Sequence, residues 1–429
     1  MKTTLLLLLM ALMFIMGCGE GNSDNDPTDT STDSDTGNPD GTDDSDTTGS
    51  TDDSDLAVAY ADNVCGFSEP VTLGAVEADG MVLVPPSHPD INYFGRVDCT
   101  NPTAISMAFP GVSIRAKFTG TAIGMVYDDH GDAVNPNFFN IIIDGGEPTV
   151  QQMTTGESTY ELAGGLAAGE HTIELFKRNE SNSGTGMGIF LGLRINDGEQ
   201  LLPIEARPNR IEFIGDSITC GYGNMIETDD PDSYHFTTTN SNAYESWASI
   251  TARALDAEVS IVAYSGRGAY RNYGGGGGET VPEMYLDCLP DTTIEVPWNI
   301  EQFTPQVVVV NLGTNDMSEV TADTLDSYQE GYAAAMEMFV ETLRGYYPDS
   351  TIVLAVGPML YSIGLTAVRT VCRELVDARV AAGDANIYFL NIPGNANLYG
   401  EDWHPTAATH AYMSGLLVEL LTDKGVMPL

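Results

Sequence analysis

The sequence predicts an α/β domain built on a parallel five-stranded sheet and preceded by a β-sandwich domain. Three observations predict this class: continuous apolar runs in the second half of the chain, long helical patterns between those runs, and short alternating strands in the first half. Strands of a parallel sheet are apolar on both faces because helices cover both faces. We therefore expect the strand-rich domain at 58–202 and the α/β domain at 203–429.

The first domain is predicted from short strands that alternate apolar and polar residues. Residues 112–118 place Val, Ile, Ala and Phe on one face and Ser, Arg and Lys on the other. Residues 138–143 run into the turn residues 144–146, and 171–176 continue the alternation. A sandwich buries one face of each such strand.

Five apolar runs predict the strands of the second domain: 211–214, 259–264, 307–312, 352–356 and 387–390. Between the third and fourth runs, apolar residues recur every three or four positions from Leu325 to Leu343, which predicts a helix lying on the sheet. Asn242, with Glu245 three residues later, predicts a capping box that opens a helix through Trp247.

Residues 1–18 predict an export signal with a lipid attachment site. An apolar run at 5–16, too short for a comfortable membrane crossing, leads directly to Gly17 and Cys18. This ending resembles the cleavage box of bacterial lipoproteins, in which the cysteine is lipidated. We expect an exported protein anchored through Cys18 to the outer membrane or cell surface, the alternative being a plain secretory signal and a secreted protein.

Residues 19–57 are almost wholly Asp, Thr, Ser, Gly and Asn, which predicts a disordered acidic linker. The whole chain is acidic, with a formal net charge of −45. Such a surface argues against nucleic acid as a partner and against contact with anionic lipid except through the anchor. We expect a monomer.

An export compartment permits disulfide bonds, and five cysteines follow the linker. Cys65 and Cys99 are candidates for a pair, while Cys220, Cys288 and Cys372 leave at least one thiol over. The spacing alone does not determine the connectivity.

Polar segments follow four of the predicted strands. They are Gly-Asp-Ser at 215–217, Ser-Gly-Arg-Gly at 265–268, Gly-Thr-Asn-Asp at 313–316 and Glu-Asp-Trp-His-Pro at 401–405. Sites in open parallel sheets lie at the carboxyl ends of the strands, so we expect these segments to meet. Each segment alone is also typical of an ordinary turn, but four of them in one domain indicate a site.

These residue types fit acyl transfer. A serine hydroxyl needs a base to take its proton, and His404 supplies one for Ser217. The oxyanion that follows needs hydrogen-bond donors, for which the backbone N–H groups of Ser217 and Gly266 and the amide of Asn315 are candidates. This chemistry requires no metal and no cofactor.

Trp403 and Tyr222 flank the catalytic candidates in sequence. Either ring is a candidate for stacking on a sugar, with packing in the core as the alternative for each.

Four segments resemble the blocks of the SGNH, or GDSL, hydrolase superfamily: IEFIGDSITCGYGN at 211–224, SGRG at 265–268, GTND at 313–316 and DWHP at 402–405. The long first block, the strand domain and HTIELFKRNES at 171–181 resemble carbohydrate esterase family 2 more narrowly. The resemblance implies a jelly-roll-like first domain and a flavodoxin-like catalytic domain. It also implies Ser217 as nucleophile, His404 as base, and Gly266 and Asn315 in the oxyanion hole.

The same resemblance implies a carboxylic ester hydrolase of the acetylxylan esterase type. Its substrates would be acetylated polysaccharides or oligosaccharides from plants, such as xylan, mannan or glucomannan, including acetyl groups on 6-hydroxyls. Two alternatives remain: a carbohydrate-binding surface protein with a secondary or inactive hydrolase domain, and a lipase or thioesterase of the same superfamily. Intact Ser217, Asn315 and His404 disfavour the first, and the lack of a long apolar lid segment disfavours the second.

The last block departs from the superfamily's usual pattern, in which the carboxylate that orients the histidine stands three residues before it. Glu401 occupies that position here, and Asp402 stands two residues before His404. We expect Asp402 to orient the imidazole. The alternatives are Glu401 and a serine–histidine dyad whose ring is held by a backbone carbonyl.

Overall fold

The computed structural model describes residues 64–181, 186–290, 295–394 and 398–427. The predicted signal at 1–18, with Cys18, and the predicted linker at 19–57 lie outside the described residues. In the described part of the chain, no helix is both long and apolar enough to cross a membrane.

The first domain consists of two antiparallel sheets. Its strands are β1 (Met81–Val84), β2 (Ile91–Phe94), β3 (Ile105–Met107), β4 (Ser113–Gly120), β5 (Ile123–Asp129), β6 (Phe138–Ile143), β7 (Thr149–Gln152), β8 (Gly156–Ala163), β9 (Gly169–Lys177), β10 (Gly188–Asn196) and β11 (Leu201–Leu202). One sheet has the order β1-β10-β5-β8, with β3 also on β10, and the other has the order β11-β4-β9-β6-β7, with β2 also on β4.

Side chains from both sheets form one buried apolar cluster, as in a sandwich. Tyr127 of β5 meets Phe139 of β6 edge to face, with ring centroids 5.2 Å apart. The strands predicted at 112–118, 138–143 and 171–176 are confirmed as β4, β6 and β9.

Cys65 and Cys99, the predicted candidates for a pair, form a disulfide bond. Cys220, Cys288 and Cys372 are free and buried.

The second domain contains a parallel five-stranded sheet flanked by helices. Its strands are β12 (Asn209–Gly215), β13 (Ala257–Ala263), β14 (Val307–Asn311), β15 (Thr351–Val356) and β16 (Ile387–Asn391). Its helices are α1 (Ser217–Cys220), α2 (Trp247–Ala254), α3 (Val281–Met284), α4 (Leu325–Tyr346), α5 (Ser362–Ala381) and α6 (Ala407–Asp423). The strand order β13-β12-β14-β15-β16 is the flavodoxin-like order 2-1-3-4-5.

Two predicted helices can be compared with the structure. The stripe from Leu325 to Leu343 lies on α4, and its members Tyr332, Met336 and Phe339 are buried against the sheet. Asn242 accepts a hydrogen bond from the backbone N–H of Tyr244 and begins only one turn of 3₁₀ helix, whereas α2 begins at Trp247.

Buried ion pairs join the two domains. Arg115 of β4 lies 2.7 Å from Glu258 of β13, and both side chains are almost inaccessible to water. Arg207 from the connector lies 3.2 Å from the other oxygen of Glu258. Arg96 and Glu212, both fully buried, form a second pair at 3.4 Å. A buried charge is tolerated only with a counter-charge nearby, so these contacts hold the domains in one arrangement.

We expect Glu258→Gln to destabilise the protein by about 3–5 kcal/mol, because it removes the carboxylate that contacts both Arg115 and Arg207 and leaves these two guanidinium groups to share the charge of Glu174. The free energy of unfolding in denaturant measures the loss. Glu170→Gln is the matched control, since Glu170 pairs with Lys117 in a largely exposed bridge and should cost only about 0–1 kcal/mol. Equal losses in the two variants would contradict the proposed role of the buried pair.

Candidate active site

A tight turn at the end of β12 positions Ser217. Asp216 adopts an extended conformation, and its carboxylate accepts a hydrogen bond from the backbone N–H of Ile218 at 3.0 Å, as expected of a helix N-cap. A Cβ on Gly215 would lie 2.2 Å from the hydroxyl of Thr219, so only glycine fits before this turn. Ser217 is therefore the first residue of α1, at the carboxyl edge of the sheet.

The hydroxyl of Ser217 meets the imidazole of His404. His404 Nε2 lies 2.8 Å from Ser217 Oγ, although the two residues are 187 positions apart. His404 ends a short helical turn between β16 and α6, and both side chains are buried. The two predicted side chains are thus in hydrogen-bond contact.

Backbone carbonyl groups hold the other side of the His404 ring. Nδ1 lies 3.0 Å from the carbonyl oxygen of Glu401 and 3.2 Å from that of Asp402. A carbonyl oxygen can only accept a hydrogen bond, so Nδ1 carries the proton. Nε2 is then the acceptor that faces the hydroxyl of Ser217, which is the tautomer a general base needs.

The expectation that the carboxylate of Asp402 orients the imidazole is wrong. That carboxylate accepts hydrogen bonds from the hydroxyl of Tyr222 at 2.5 Å and the backbone N–H of Phe236 at 3.1 Å, and it pairs with Nδ1 of His235 at 2.7 Å. The physical reason is the backbone: Asp402 and Trp403 both have positive φ, at 48° and 67°. The structure has the third arrangement considered above, a dyad held by backbone carbonyls.

Glu401 does not orient the ring through its side chain either. Its carboxylate accepts hydrogen bonds from the backbone and hydroxyl of Thr237 at 2.9 and 2.8 Å and from the amide of Asn240 at 2.7 Å. The side chain thus fastens the loop around 237–240, while the carbonyl of the same residue bonds His404.

The loops that carry Gly266 and Asn315 meet the serine turn. The Asn315 amide donates a hydrogen bond to the carbonyl oxygen of Arg267 at 2.7 Å and lies 3.4 Å from a carboxylate oxygen of Asp216. Gly266 has a φ of 79°, a conformation that favours glycine. Three of the predicted segments therefore converge at the carboxyl ends of β12, β13 and β14.

Two buried carboxylates support the loop after β13, and the sequence patterns described above predict a role for neither. Asp316 accepts hydrogen bonds from the backbone N–H groups of Ala269, Tyr270 and Arg271 at 3.1, 2.6 and 3.1 Å. Burial raises the pKa of Asp316. Its position directly after Asn315 in a recognised block was the only signal that pointed to it.

Glu180 is the second of these carboxylates, and it comes from the first domain. It accepts hydrogen bonds from the backbone N–H of Ser265 at 2.7 Å and from the thiol of Cys220 at 3.1 Å. The first domain thus holds the residue next to Gly266. No local pattern in the sequence predicts this contact, because 85 residues separate Glu180 from Ser265.

The two aromatic candidates differ in their surroundings. The ring of Tyr222 stacks on His404, with centroids 4.0 Å apart and planes inclined by 21°, and it also contacts Phe236. The ring of Tyr222 thus has the packing role that was the alternative to sugar stacking. Trp403 is 47% exposed, and its indole N–H donates to Asp232 at 2.8 Å. Sugar stacking by Trp403 stays a prediction.

Burial changes the proton affinity of His404. It lowers the pKa of the imidazole to about 4, although the carbonyl of Glu401 and the charge of Asp402 act in the opposite direction. His404 is therefore neutral near pH 7 and able to accept a proton.

SGNH hydrolases are named for a serine, a glycine, an asparagine and a histidine on four loops at one edge of a parallel sheet. The fold supplies Ser217, Gly266, Asn315 and His404 on such loops, and the chain is an SGNH hydrolase. A family model described as GDSL-like Lipase/Acylhydrolase matches residues 213–412, and one described as Carbohydrate esterase 2 N-terminal matches residues 93–204.

Similar solved structures identify the family of SGNH hydrolases to which the chain belongs. The chain resembles the solved structure of a family two carbohydrate esterase from Clostridium thermocellum in complex with cellohexaose: the TM-score is 0.72 and the identity 36%, over 79% of this chain and 100% of that one. A family two carbohydrate esterase from Cellvibrio japonicus is similar at 27% identity and a TM-score of 0.70, over 80% of this chain and 97% of that one. The chain belongs to carbohydrate esterase family 2.

Two curated proteins are similar in sequence. The Cellulase/esterase CelE of Acetivibrio thermocellus is 36% identical over 79% of this chain, which spans only 40% of that protein's length. An Acetylxylan esterase / glucomannan deacetylase of Cellvibrio japonicus is 28% identical over 76% of this chain and 87% of that protein.

We expect esterase activity to persist well below pH 6, because His404 becomes protonated only as the pH falls through about 4. The measurement is kcat/KM for a soluble acetate ester between pH 3 and 8, whose acidic limb reports the base of the free enzyme. Circular dichroism at each pH separates loss of fold from protonation. Half-maximal activity near pH 6.5, with the fold intact, would contradict the lowered pKa.

Proposed function

We propose that this protein is an exported serine esterase that removes O-acetyl groups from plant polysaccharides such as xylan, mannan or glucomannan, including those on 6-hydroxyls. The observation that carries the proposal is the 2.8 Å contact between Ser217 Oγ and His404 Nε2, with Nδ1 anchored on carbonyl groups. This is the arrangement that turns a neutral hydroxyl into a nucleophile.

In the first step, Ser217 Oγ forms a bond to the carbonyl carbon of the acetyl ester, and its proton passes to His404 Nε2. The carbonyl electron pair moves onto oxygen, where we assign the N–H groups of Ser217 and Gly266 and the amide of Asn315 as donors. The Asn315 amide donates to the carbonyl of Arg267 at 2.7 Å and makes a longer contact of 3.4 Å with the carboxylate of Asp216, so in this mechanism the N–H of the longer contact turns to the oxyanion. Loss of one such donor costs about a hundredfold to a thousandfold in turnover.

The oxyanion then collapses, the bond between the acetyl carbon and the sugar oxygen breaks, and His404 returns its proton to that oxygen. In the second step, water gives a proton to His404 and attacks the acetyl carbon on Ser217. Release of acetate restores the serine hydroxyl. His404 gives the proton taken from water to Ser217 Oγ as acetate leaves, and it thus cycles between neutral and charged forms in each step.

The substrate class is supported by two kinds of observation. The relative from Cellvibrio japonicus is described as an acetylxylan esterase and glucomannan deacetylase, and the structural relative was solved with cellohexaose. In this chain, the exposed indole of Trp403 directly precedes His404 and offers a flat apolar face to a sugar ring.

We expect the protein to release acetate from acetylated xylan and glucomannan, and Ser217→Ala to reduce the rate by about 10⁴-fold or more, because the nucleophile is lost. Acetate release is measured beside hydrolysis of a long-chain ester. Asp230→Asn is a control, since Asp230 is an exposed residue that contacts Ser233. Activity confined to the long-chain ester would overturn the carbohydrate assignment.

We further propose that the protein is anchored through lipid on Cys18, at the outer membrane or the cell surface. The proposal rests on the apolar run that ends at Cys18 and on the acidic residues that follow it. The linker would hold the enzyme away from the membrane surface, because its like charges repel one another.

We expect Cys18→Ser to move the protein from the detergent phase to the aqueous phase in a detergent partition of expressing cells, because the attachment site of the lipid is removed. The unaltered protein is the reference. Partition of both proteins into the aqueous phase would contradict the anchor and leave a plain secretory signal.

A further inference from the structure

A tyrosine lies flat against the histidine of the dyad. The ring centroids of Tyr222 and His404 are 4.0 Å apart, and the planes are inclined by 21°. The backbone of Tyr222 is tied to the same turn as the nucleophile, since its N–H donates to the carbonyl of Ser217 at 3.1 Å. One short segment thus carries both the nucleophile and the ring that covers its base.

The hydroxyl of Tyr222 is bonded to a charged group. It donates to the carboxylate of Asp402 at 2.5 Å, and the same carboxylate accepts the backbone N–H of Phe236. Asp402 and Trp403 occupy left-handed backbone conformations that only glycine adopts without cost. This backbone turns the carboxylate of Asp402 away from Nδ1 of His404 and toward the hydroxyl of Tyr222.

The arrangement has an electrostatic consequence. A phenol that donates to a carboxylate gains electron density in its ring, and an aromatic face attracts a cation, most strongly where water is excluded. His404 becomes a cation when it takes the proton of Ser217, in a site where burial disfavours charge. The stacked ring therefore opposes the effect of burial at the moment when charge develops.

We propose that Tyr222 is a positioning residue for the base, and that Asp402 acts on His404 through Tyr222 rather than through Nδ1. The proposal rests on the proposed esterase function for its catalytic part, but the coupling among the three side chains is a property of the protein alone. In this proposal, the positive φ values of Asp402 and Trp403 serve the dyad by placing the Asp402 carboxylate on the hydroxyl of Tyr222.

Other titratable groups also face this site. Glu401 lies on the loop of His404, His410 comes from α6, and exposed His235 pairs with Asp402 at 2.7 Å. Burial lowers the pKa of His410 to about 3, so it is neutral in the working range. Contact with Asp402 raises the pKa of His235, so His235 places a positive charge beside Asp402 at mildly acid pH.

The test is a double-mutant cycle with Tyr222→Phe, Asp402→Asn and the double variant. Tyr222→Phe keeps the ring and removes only the hydroxyl, so folding is retained, as thermal unfolding will show. Two quantities are measured for each protein: the pKa of His404 by NMR titration, and kcat and KM for an acetate ester. The NMR titration reports on the coupling even if no esterase activity is found, which separates this proposal from the proposed function.

We expect each single variant to lower the pKa of His404 and to reduce kcat by about threefold to tenfold, with KM nearly unchanged. The double variant should lower the pKa of His404 and kcat by clearly less than the two single effects combined, because both changes break the path through the hydroxyl of Tyr222 while only the direct charge effect of Asp402 adds to it. Asp230→Asn removes an exposed carboxylate from the segment between Tyr222 and Phe236. This control should change neither the pKa of His404 nor kcat.

Two results would overturn the proposal. If Asp402→Asn shifts the pKa of His404 equally with Tyr and with Phe at position 222, Asp402 acts directly through space. If neither single variant changes the pKa or kcat while both proteins fold normally, the stacked ring is only packing.

Discussion

The hydrogen bonds from Nδ1 of His404 to the carbonyl oxygens of Glu401 and Asp402 are the constraint on which the site depends. They set the tautomer, and the tautomer decides that Nε2 accepts from Ser217. Backbone carbonyls carry no net charge, so they orient the ring without stabilising its charged form as fully as a carboxylate does. A dyad of this kind therefore depends on its other neighbours when the imidazole takes a proton.

The loops around the site are supported by residues from both domains. Glu180 of the first domain bonds Ser265, and Asp316 of the second bonds three successive backbone N–H groups of the same loop. Arg178 and Asn179 bond the carbonyl of Ser241, beside the loop that Glu401 holds. The strand domain is thus part of the support of the site, and the buried ion pair of Arg115 and Glu258 keeps that support in place.

The fold could be predicted from local patterns, because the spacing of apolar residues depends on which faces of a strand or helix are buried. Short stretches such as 307–312 and 325–343 are long enough to show this spacing. Topology then brought Ser217, Asn315 and His404 to one edge of the sheet. The partner of His404 did not follow in the same way. Residue types do not reveal that Asp402 and Trp403 adopt positive φ, and the true partners of Asp402 lie 180 and 167 residues away. Tyr222 was recognised as a neighbour of the site, but its stacking on His404 depends on those same contacts.

The tautomer of His404 is measured by ring-nitrogen NMR of the protein with labelled histidine, assigned with a His404→Gln variant. At neutral pH we expect a proton on Nδ1 and none on Nε2, with the Nε2 signal changed by Ser217→Ala and the tautomer retained in Asp402→Asn. A proton on Nε2 in the unaltered protein, or a change of tautomer on loss of the Asp402 charge, would contradict a base held by backbone carbonyls.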